Sequence, residues 1–334
     1  MKVLLACDRT GGHVYPAEIL ADNCLNKDIV FVFCGVNSND AKRLKDKGYR
    51  VAGFIFDKRS AVFEVILRFF EAVNILLCVR PDRVICFGGR SGLLVSLLSS
   101  FIVPTAVYEP NAVYGRSNRL LSVFVRTVFL GIGGGTGKKE IKVGVPLRKN
   151  IIEIEHGSNK GMSNVLVFGG SSGSVRINET VLEMCRQTDF VRRFNLTHIA
   201  GTREYDRIRT LYGQMRIDVN LMPYCENMAA EYEKADIIVG RAGASTIAEL
   251  DYLRRPAVLI PYPYAYGHQT ANARILAHKR RNVRIILQEE LNVHSLYKAV
   301  SDVSTEKDIS AGNTADRTWV GPDEFSAEIM NWIL

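Results

Sequence analysis

The stretch that most limits what this chain can fold into runs from Ala235 to Asn272, ADIIVGRAGASTIAELDYLRRPAVLIPYPYAYGHQTAN. A short apolar run, Ile237–Val239, enters a turn of small residues. A helical segment carrying Glu249 follows, then a second apolar run, Ala257–Ile260, and a polar, aromatic loop that reaches Gln269. Strand, tight turn, helix and strand in that order form a βαβ unit, which requires a parallel sheet. Ligands of such sheets sit beyond the carboxyl ends of the strands. The loops at those ends, 240–246 and 261–268, are where a ligand is expected.

The residues in these loops suit a nucleotide sugar. Ala242, Gly243, Ala244 and Ser245 let a ligand approach the backbone, and Thr246, Ile247 and Ala248 lead into a helix. The free N–H groups and partial positive charge of that helix start face a diphosphate. Glu249, about one turn in, can accept two ribose hydroxyls. Thr246-Ile-Ala-Glu249 also fits a capping box, with Glu249 folded back on the helix start. Spacing leaves both roles open.

GRAGASTIAEL followed by PYPYAYGHQTANA resembles the donor-binding segment of the MurG family, UDP-N-acetylglucosamine transferases that complete the lipid-linked peptidoglycan precursor. The resemblance implies the GT-B fold: α/β, two Rossmann-like domains with parallel sheets facing each other across a cleft. It extends over nearly the whole chain. The domains are expected at 1–150, for the acceptor and the membrane, and 151–334, for the UDP-sugar donor, with a polar linker near 149–163 and a C-terminal helix returning to the first domain.

In the first domain, Thr10-Gly11-Gly12-His13-Val14-Tyr15-Pro16-Ala17 reproduces the family's T-G-G-H-x-x-P-A. His13 stands at the start of a helix predicted over 14–24, where the dipole favours the neutral imidazole. Such a histidine acts as a general base or simply packs. The resemblance implies that Thr10, Gly11 and Gly12 line the cleft and that His13 is the base on the acceptor hydroxyl. Asp8-Arg9 replace the family's usual glycine pair. Gly88-Gly89 match its second glycine loop, with Arg90 in place of a tyrosine; Arg90 either binds a phosphate or faces solvent. Glu109 and Asn111 match the family's H-E-x-N, with Tyr108 for the histidine. Asn111 offers an amide to sugar hydroxyls, or is a turn residue. Lys142-Val-Gly-Val-Pro-Leu-Arg148 resembles T-G-N-P-V-R, with Val145 for the asparagine, and implies that Arg148 approaches the donor. The run from Gly131 to Lys139 fails the P-loop spacing and reads as a basic loop.

In the second domain, Gly169-Gly170-Ser171-Ser172-Gly173 sits between a strand and a helix predicted over 175–186. It is a phosphate cradle to which Ser171 adds a hydroxyl, and it matches the family's G-G-S-x-G-A. Pro223-Tyr-Cys-Glu-Asn-Met228 resembles P-F-I-D-D-M, which implies that backbone groups at Cys225 read the uracil edge while Met228 covers the ring. Gln269 is implied at the sugar hydroxyls. No Asp-x-Asp triplet or His/Asp cluster offers a metal site, so no cofactor is expected.

Charge is uneven. Residues 1–150 carry 22 Lys and Arg against 12 Asp and Glu, whereas the remainder carries 21 against 23, so the first half should meet something anionic. A lipid headgroup surface or a pyrophosphate fits better than nucleic acid, because no basic helix or RNA-binding motif is present. The segment 60–79 holds more apolar residues than one buried stripe needs, with Lys58, Arg59 and Arg68 in or beside it. Such a helix lies on an anionic membrane or is buried on two sides. Residues 91–108 are 18 without a charge, at the lower edge of a membrane span, but serines and Pro104 divide them into a helix and a strand. Seven cysteines without a CxxC pair argue for a reducing compartment, and the chain reaches Asp8-Arg9 too soon for a signal peptide.

These readings converge on an inverting N-acetylglucosaminyltransferase at the cytoplasmic face of the cell membrane. Its partners are UDP-N-acetylglucosamine, a lipid-pyrophosphoryl-linked sugar acceptor and an anionic membrane surface. The departures in the first domain leave room for another lipid acceptor. A UDP-sugar hydrolase or epimerase would keep the donor site without the lipid, and a scaffold protein would keep it without turnover.

Overall fold

The computed structural model describes residues 1–8, 11–24, 28–34, 39–54, 63–135, 137–154, 163–170, 173–264, 266–306 and 317–334. They form two compact units, Met1–Leu147 with Thr318–Leu334, and Arg148–Arg317. The sequence suggests a boundary at 150 and a second domain running to 334, with its C-terminal helix returning to the first. Backbone pairing explains why the end of the chain belongs with the first unit: β8 (Val145–Pro146) runs parallel to β15 (Trp319–Val320), with Val145 N–H donating to the Thr318 carbonyl at 3.0 Å and Leu147 N–H to that of Val320 at 3.0 Å.

The first unit is built on a seven-stranded sheet in the order β3 (Arg50–Phe54), β2 (Asp28–Cys34), β1 (Lys2–Ala6), β4 (Arg83–Cys86), β5 (Thr105–Glu109), β6 (Thr127–Leu130), β7 (Glu140–Lys142). Every pair in it is parallel. β5 is buried at each position, so its apolar residues do not alternate, as expected of a strand covered on both faces. Val3 and Leu5 of β1 pack with Ala17 and Leu20 of α1 (Gly11–Asn23), Leu44 of α2 (Asn39–Asp46) and Phe325 and Ile329 of the C-terminal helix α14 (Pro322–Ile333). Leu4 and Ala6 point the other way, to Ala72 and Ile75 of α3 (Phe63–Val79) and Val95 of α4 (Gly89–Ser99). α5 (Arg116–Phe124) packs beside α4 through Leu121.

The uncharged stretch 91–108 divides as its serines suggest, with α4 ending at Ser99 and β5 starting at Thr105. Among the described residues no helix is long and apolar enough to cross a membrane. α3 is not buried on two sides. Ala72, Ile75 and Val79 face the sheet, while Ile66, Phe69, Phe70 and Leu77 are exposed. Phe101, Ile102, Leu120, Val123 and Phe124 extend this apolar surface beyond α4 and along α5, and the rings of Phe101 and Phe124 are 5.9 Å apart.

The second unit carries a six-stranded parallel sheet in the order β11 (Asn220–Met222), β10 (Phe194–Ile199), β9 (Ser163–Phe168), β12 (Ile237–Gly240), β13 (Ala257–Leu259), β14 (Val283–Ile285). The βαβ unit anticipated from the sequence is β12, α11 (Ala244–Leu253) and β13. From β9 the chain steps outward to β10 and β11, then jumps back to place β12 on the other side of β9. Strand order reverses there, which opens a crevice at the carboxyl ends of β9 and β12. α7 (Val175–Gln187), α9 (Tyr205–Met215), α10 (Met228–Lys234), α12 (His268–Lys279) and α13 (Val293–Thr305) complete the unit, with short helices α6 (Lys149–Ile152) and α8 (Phe190–Arg193).

A buried polar relay sits under β10. His198 Nε2 lies 3.0 Å from Asn178 Oδ1 and its Nδ1 lies 2.9 Å from the Tyr212 hydroxyl. An amide oxygen only accepts, so Nε2 carries the proton and Nδ1 accepts from Tyr212. Asn178 Nδ2 in turn donates to the Ala200 carbonyl at 2.9 Å. With neutral partners, burial pushes His198 from the ordinary 6.5 down to about 4. The unfolded chain therefore binds the proton first. Stability from this site is full above pH 6.5 and is lost as pH falls toward 4. Between pH 7 and 4.5 in urea unfolding, the second unit should lose roughly 2 to 3 kcal/mol from this source, and His198→Gln should remove that increment from the pH dependence.

Candidate functional site

In the second unit the site is assembled at the strand reversal. β12 ends in Gly240, where a Cβ would lie 3.0 Å from the ring of Phe168 on the neighbouring strand. The absence of a side chain lets Phe168 pack there, 6.1 Å from the ring of Tyr232 on α10. Tyr232 is buried, and its hydroxyl donates to Glu249 Oε2 at 2.9 Å. Burial raises the pKa of Glu249, while the charge of Arg148 and the Tyr232 hydrogen bond oppose the rise. Arg148 acts in the same way on Cys225, whose thiol burial pushes up. Arg148, Cys225 and Glu249, far apart in the chain, therefore share one electrostatic environment.

α11 begins at Ala244 with Gly243 as its N-cap and no side-chain cap. Thr246 thus lies inside the first turn, and Glu249 occupies the second turn with its carboxylate on Tyr232. The capping-box role for Glu249 is excluded on these grounds. Ala244, Ser245 and Thr246 present the first-turn N–H groups, and Ile247 and Ala248 are buried behind them. Gln269, in the first turn of α12, turns its side-chain oxygen inward to accept from Ala242 N–H at 3.2 Å and Tyr262 N–H at 2.9 Å. Met228 opens α10, and Cys225 lies in the loop before it. Ser171 falls outside the described residues.

Arg241 went unremarked in the sequence. It is 8% exposed, and its Nη1 donates to the carbonyls of Ile260 at 3.0 Å and Pro261 at 3.2 Å. Its Nη2 donates to Ser174 Oγ at 2.7 Å and Gln288 Oε1 at 2.7 Å. The available signal was a long cation between Gly240 and a run of small residues, where a turn alone has no use for one. The part played by Tyr232 had no such signal.

In the first unit, α1 starts at Gly11 rather than at 14, so Gly11, Gly12 and His13 form its first turn. His13 is half-buried and packs against Gly88, where a Cβ would come within 3.1 Å of Nε2. Burial lowers the His13 pKa, with Asp8 and Glu109 pulling it back up, so the imidazole is neutral at pH 7. Gly89, at φ +89, has the Asp8 side chain where its own Cβ would be, which shows how the loop accommodates Asp8. Thr10, Arg9 and the Arg90 side chain lie outside the described residues.

Asn111 belongs to a cluster ordered by Glu109, which is 1% exposed. Glu109 Oε1 accepts from the Asn111 backbone at 3.0 Å and side chain at 2.8 Å; Oε2 accepts from Gly115 N–H at 2.8 Å and Asn118 Nδ2 at 2.9 Å. Tyr108, where the family has histidine, is fully buried between Phe87 and Phe325 and donates to the Gly144 carbonyl at 3.0 Å. It fastens the sheet to α14. Val145, in place of asparagine, is buried and pairs in register with Trp319.

Residues 164–318 match the family model described as the glycosyltransferase family 28 C-terminal domain. A relative from Halothermothrix orenii is 32% identical, with 91% of this chain and 90% of that protein covered. Its name is UDP-N-acetylglucosamine–N-acetylmuramyl-(pentapeptide) pyrophosphoryl-undecaprenol N-acetylglucosamine transferase. The chain belongs to the MurG family. The solved MurG of Acinetobacter baumannii shares its fold at a TM-score of 0.75 and 22% identity, covering 100% of this chain and 99% of that one. The UDP-GlcNAc 2-epimerase of Methanocaldococcus jannaschii is also similar in fold, at a TM-score of 0.66 and 12% identity over 100% and 99% of the two chains. The GT-B architecture implied by the sequence is therefore the one observed: two α/β units, each on a parallel sheet.

The Glu109 cluster permits a direct test of how the Asn111 loop is held. Glu109→Ala strands several buried N–H donors and should cost the first unit about 3 kcal/mol in urea unfolding, whereas Asn111→Ala should cost about 1 kcal/mol.

Proposed function

We propose that this chain transfers N-acetylglucosamine from UDP-N-acetylglucosamine to a membrane-held, pyrophosphoryl-linked muramoyl-pentapeptide, with inversion at the anomeric carbon. The observation that carries this reading is the convergence of Glu249, Gln269 and the start of α11 at one strand reversal, within the segment that matches a glycosyltransferase domain. Glu249 accepts the ribose hydroxyls, backbone groups at Cys225 read uracil, and Met228 covers the base. Arg148, Ser171 and the first turn of α11 meet the diphosphate, and Gln269 offers its amide to the sugar. The leaving UDP oxygen gains charge as the glycosidic bond breaks, and fixed N–H dipoles at a helix start stabilise it without reorganising.

In this reading the first unit holds the acceptor. Neutral His13, in the first turn of α1 with Gly11 and Gly12, takes the proton from the attacking hydroxyl, and Asn111 offers its amide to the sugar. The apolar surface of α3 and α5, with Arg116 and Arg119 exposed on α5, rests on an anionic membrane.

UDP release measured with and without the lipid-linked acceptor tests the assignment. Release should require the acceptor and fall at least 100-fold in His13→Ala, in line with the usual weight of a general base. Release without acceptor would instead identify a hydrolase. Because the His13 pKa is lowered, the acid limb of kcat/KM should lie below 6.5, with activity lost as the imidazole gains its proton. On vesicles with anionic headgroups, Phe70→Asp with Leu77→Asp should abolish flotation while leaving UDP-sugar binding intact.

A further inference from the structure

Two buried arginines flank α11 in the structure, and their surroundings differ. Arg280 sits at the carboxyl end. Its Nη1 donates to the Leu250 carbonyl at 2.6 Å, and its Nη2 to the Arg255 carbonyl at 3.1 Å and Asn282 Oδ1 at 3.0 Å. A cation there meets the negative end of the helix dipole and is stabilised by it.

Arg241 sits at the other end, three residues before Ala244. One of its acceptors, Ser174, is the N-cap of α7. The guanidinium is therefore held at the start of α7, where the helix dipole is positive, while its backbone leads into the start of α11. Its four acceptors are two carbonyls, a hydroxyl and an amide oxygen, and all are neutral. The ring of Tyr262 lies 5.3 Å from its carbon and partly offsets the charge. Burial pulls its pKa down to about 10, which still leaves it charged at neutral pH. A buried cation with only neutral acceptors beside a positive helix end is unfavourable, and an arriving anion removes the penalty.

The same four bonds join the segments that follow four strands. Ser174 belongs to the loop after β9, Arg241 follows β12, Ile260 and Pro261 follow β13, and Gln288 follows β14. We propose that Arg241 is a positioning residue for the diphosphate of the donor, holding these four segments in one frame and supplying the buried positive charge that makes their edge selective for anions. This rests on the donor-site reading above. It assigns Arg241 no contact with the reacting atoms.

Calorimetric titration with UDP and with uridine separates charge from framework. The wild type should prefer UDP, and Arg241→Gln should cut the UDP-over-uridine affinity ratio about tenfold or more, as expected when a low-dielectric charge is removed. Arg241→Lys keeps the charge but loses the fork, so both ligands should weaken while the ratio stays within about threefold of wild type. Arg280→Gln should lower thermal stability and leave the ratio unchanged. A folded Arg241→Gln with the wild-type ratio overturns the inference. If that variant does not fold, Arg241→Lys decides, and loss of the ratio there overturns the charge account. A wild type that binds UDP no better than uridine overturns the donor-site reading itself.

Discussion

Parallel pairing throughout both large sheets is the constraint on which the rest of the molecule depends. A parallel neighbour is reached only by a crossover, so each strand's carboxyl end and the following helix's amino end meet on one edge. That edge collects unpaired N–H groups and partial positive charge in each unit before any particular side chain is chosen. His13 in the first unit and Ala244 to Thr246 in the second stand in such positions. In the second unit the strand reversal between β9 and β12 adds a crevice, and Arg241 bonds across it.

Desolvation is the second organising force, and it is met in different ways. His198 is buried with two neutral partners that match its tautomer, so it stays uncharged and serves the framework. Glu249 is buried with one phenol and a nearby guanidinium, which oppose its raised pKa without cancelling it. Arg241 has acceptors for its N–H groups and no carboxylate among them. A group fully matched by its neighbours is finished as a structural element. One whose charge remains uncompensated keeps a desolvation cost that its neighbours do not remove.

The departures from the family pattern in the first unit have packing explanations. Tyr108 fills the space between the sheet and α14 and donates to the Gly144 carbonyl. Val145 is a buried apolar strand residue that pairs with Trp319. Asp8 lies where only a glycine at 89 permits it. None of these changes disturbs the carboxylate that orders Asn111, because Glu109 draws its donors from the short segment 111–118.

Local pattern by itself determined a good deal. Apolar runs of strand length, glycine turns and helix-forming segments in alternation specified two parallel α/β units, the βαβ unit at 237–259 and the edge at which the loop after each of its strands lies. Those features repeat within windows of ten or twenty residues, so they need no knowledge of the fold. The tertiary structure alone decided the rest. It chose the role of Glu249, because its partner Tyr232 is 17 residues away on another helix. It supplied the backbone bonds to 145 and 147 by which Thr318–Leu334, whose helix the sequence already sends back to the first domain, joins that unit. It left one face of α3 bare, since composition records how many apolar residues a helix has and not what covers them. Arg241 shows the limit most clearly: its meaning lies in four acceptors contributed by three other loops, and no local window of sequence contains them.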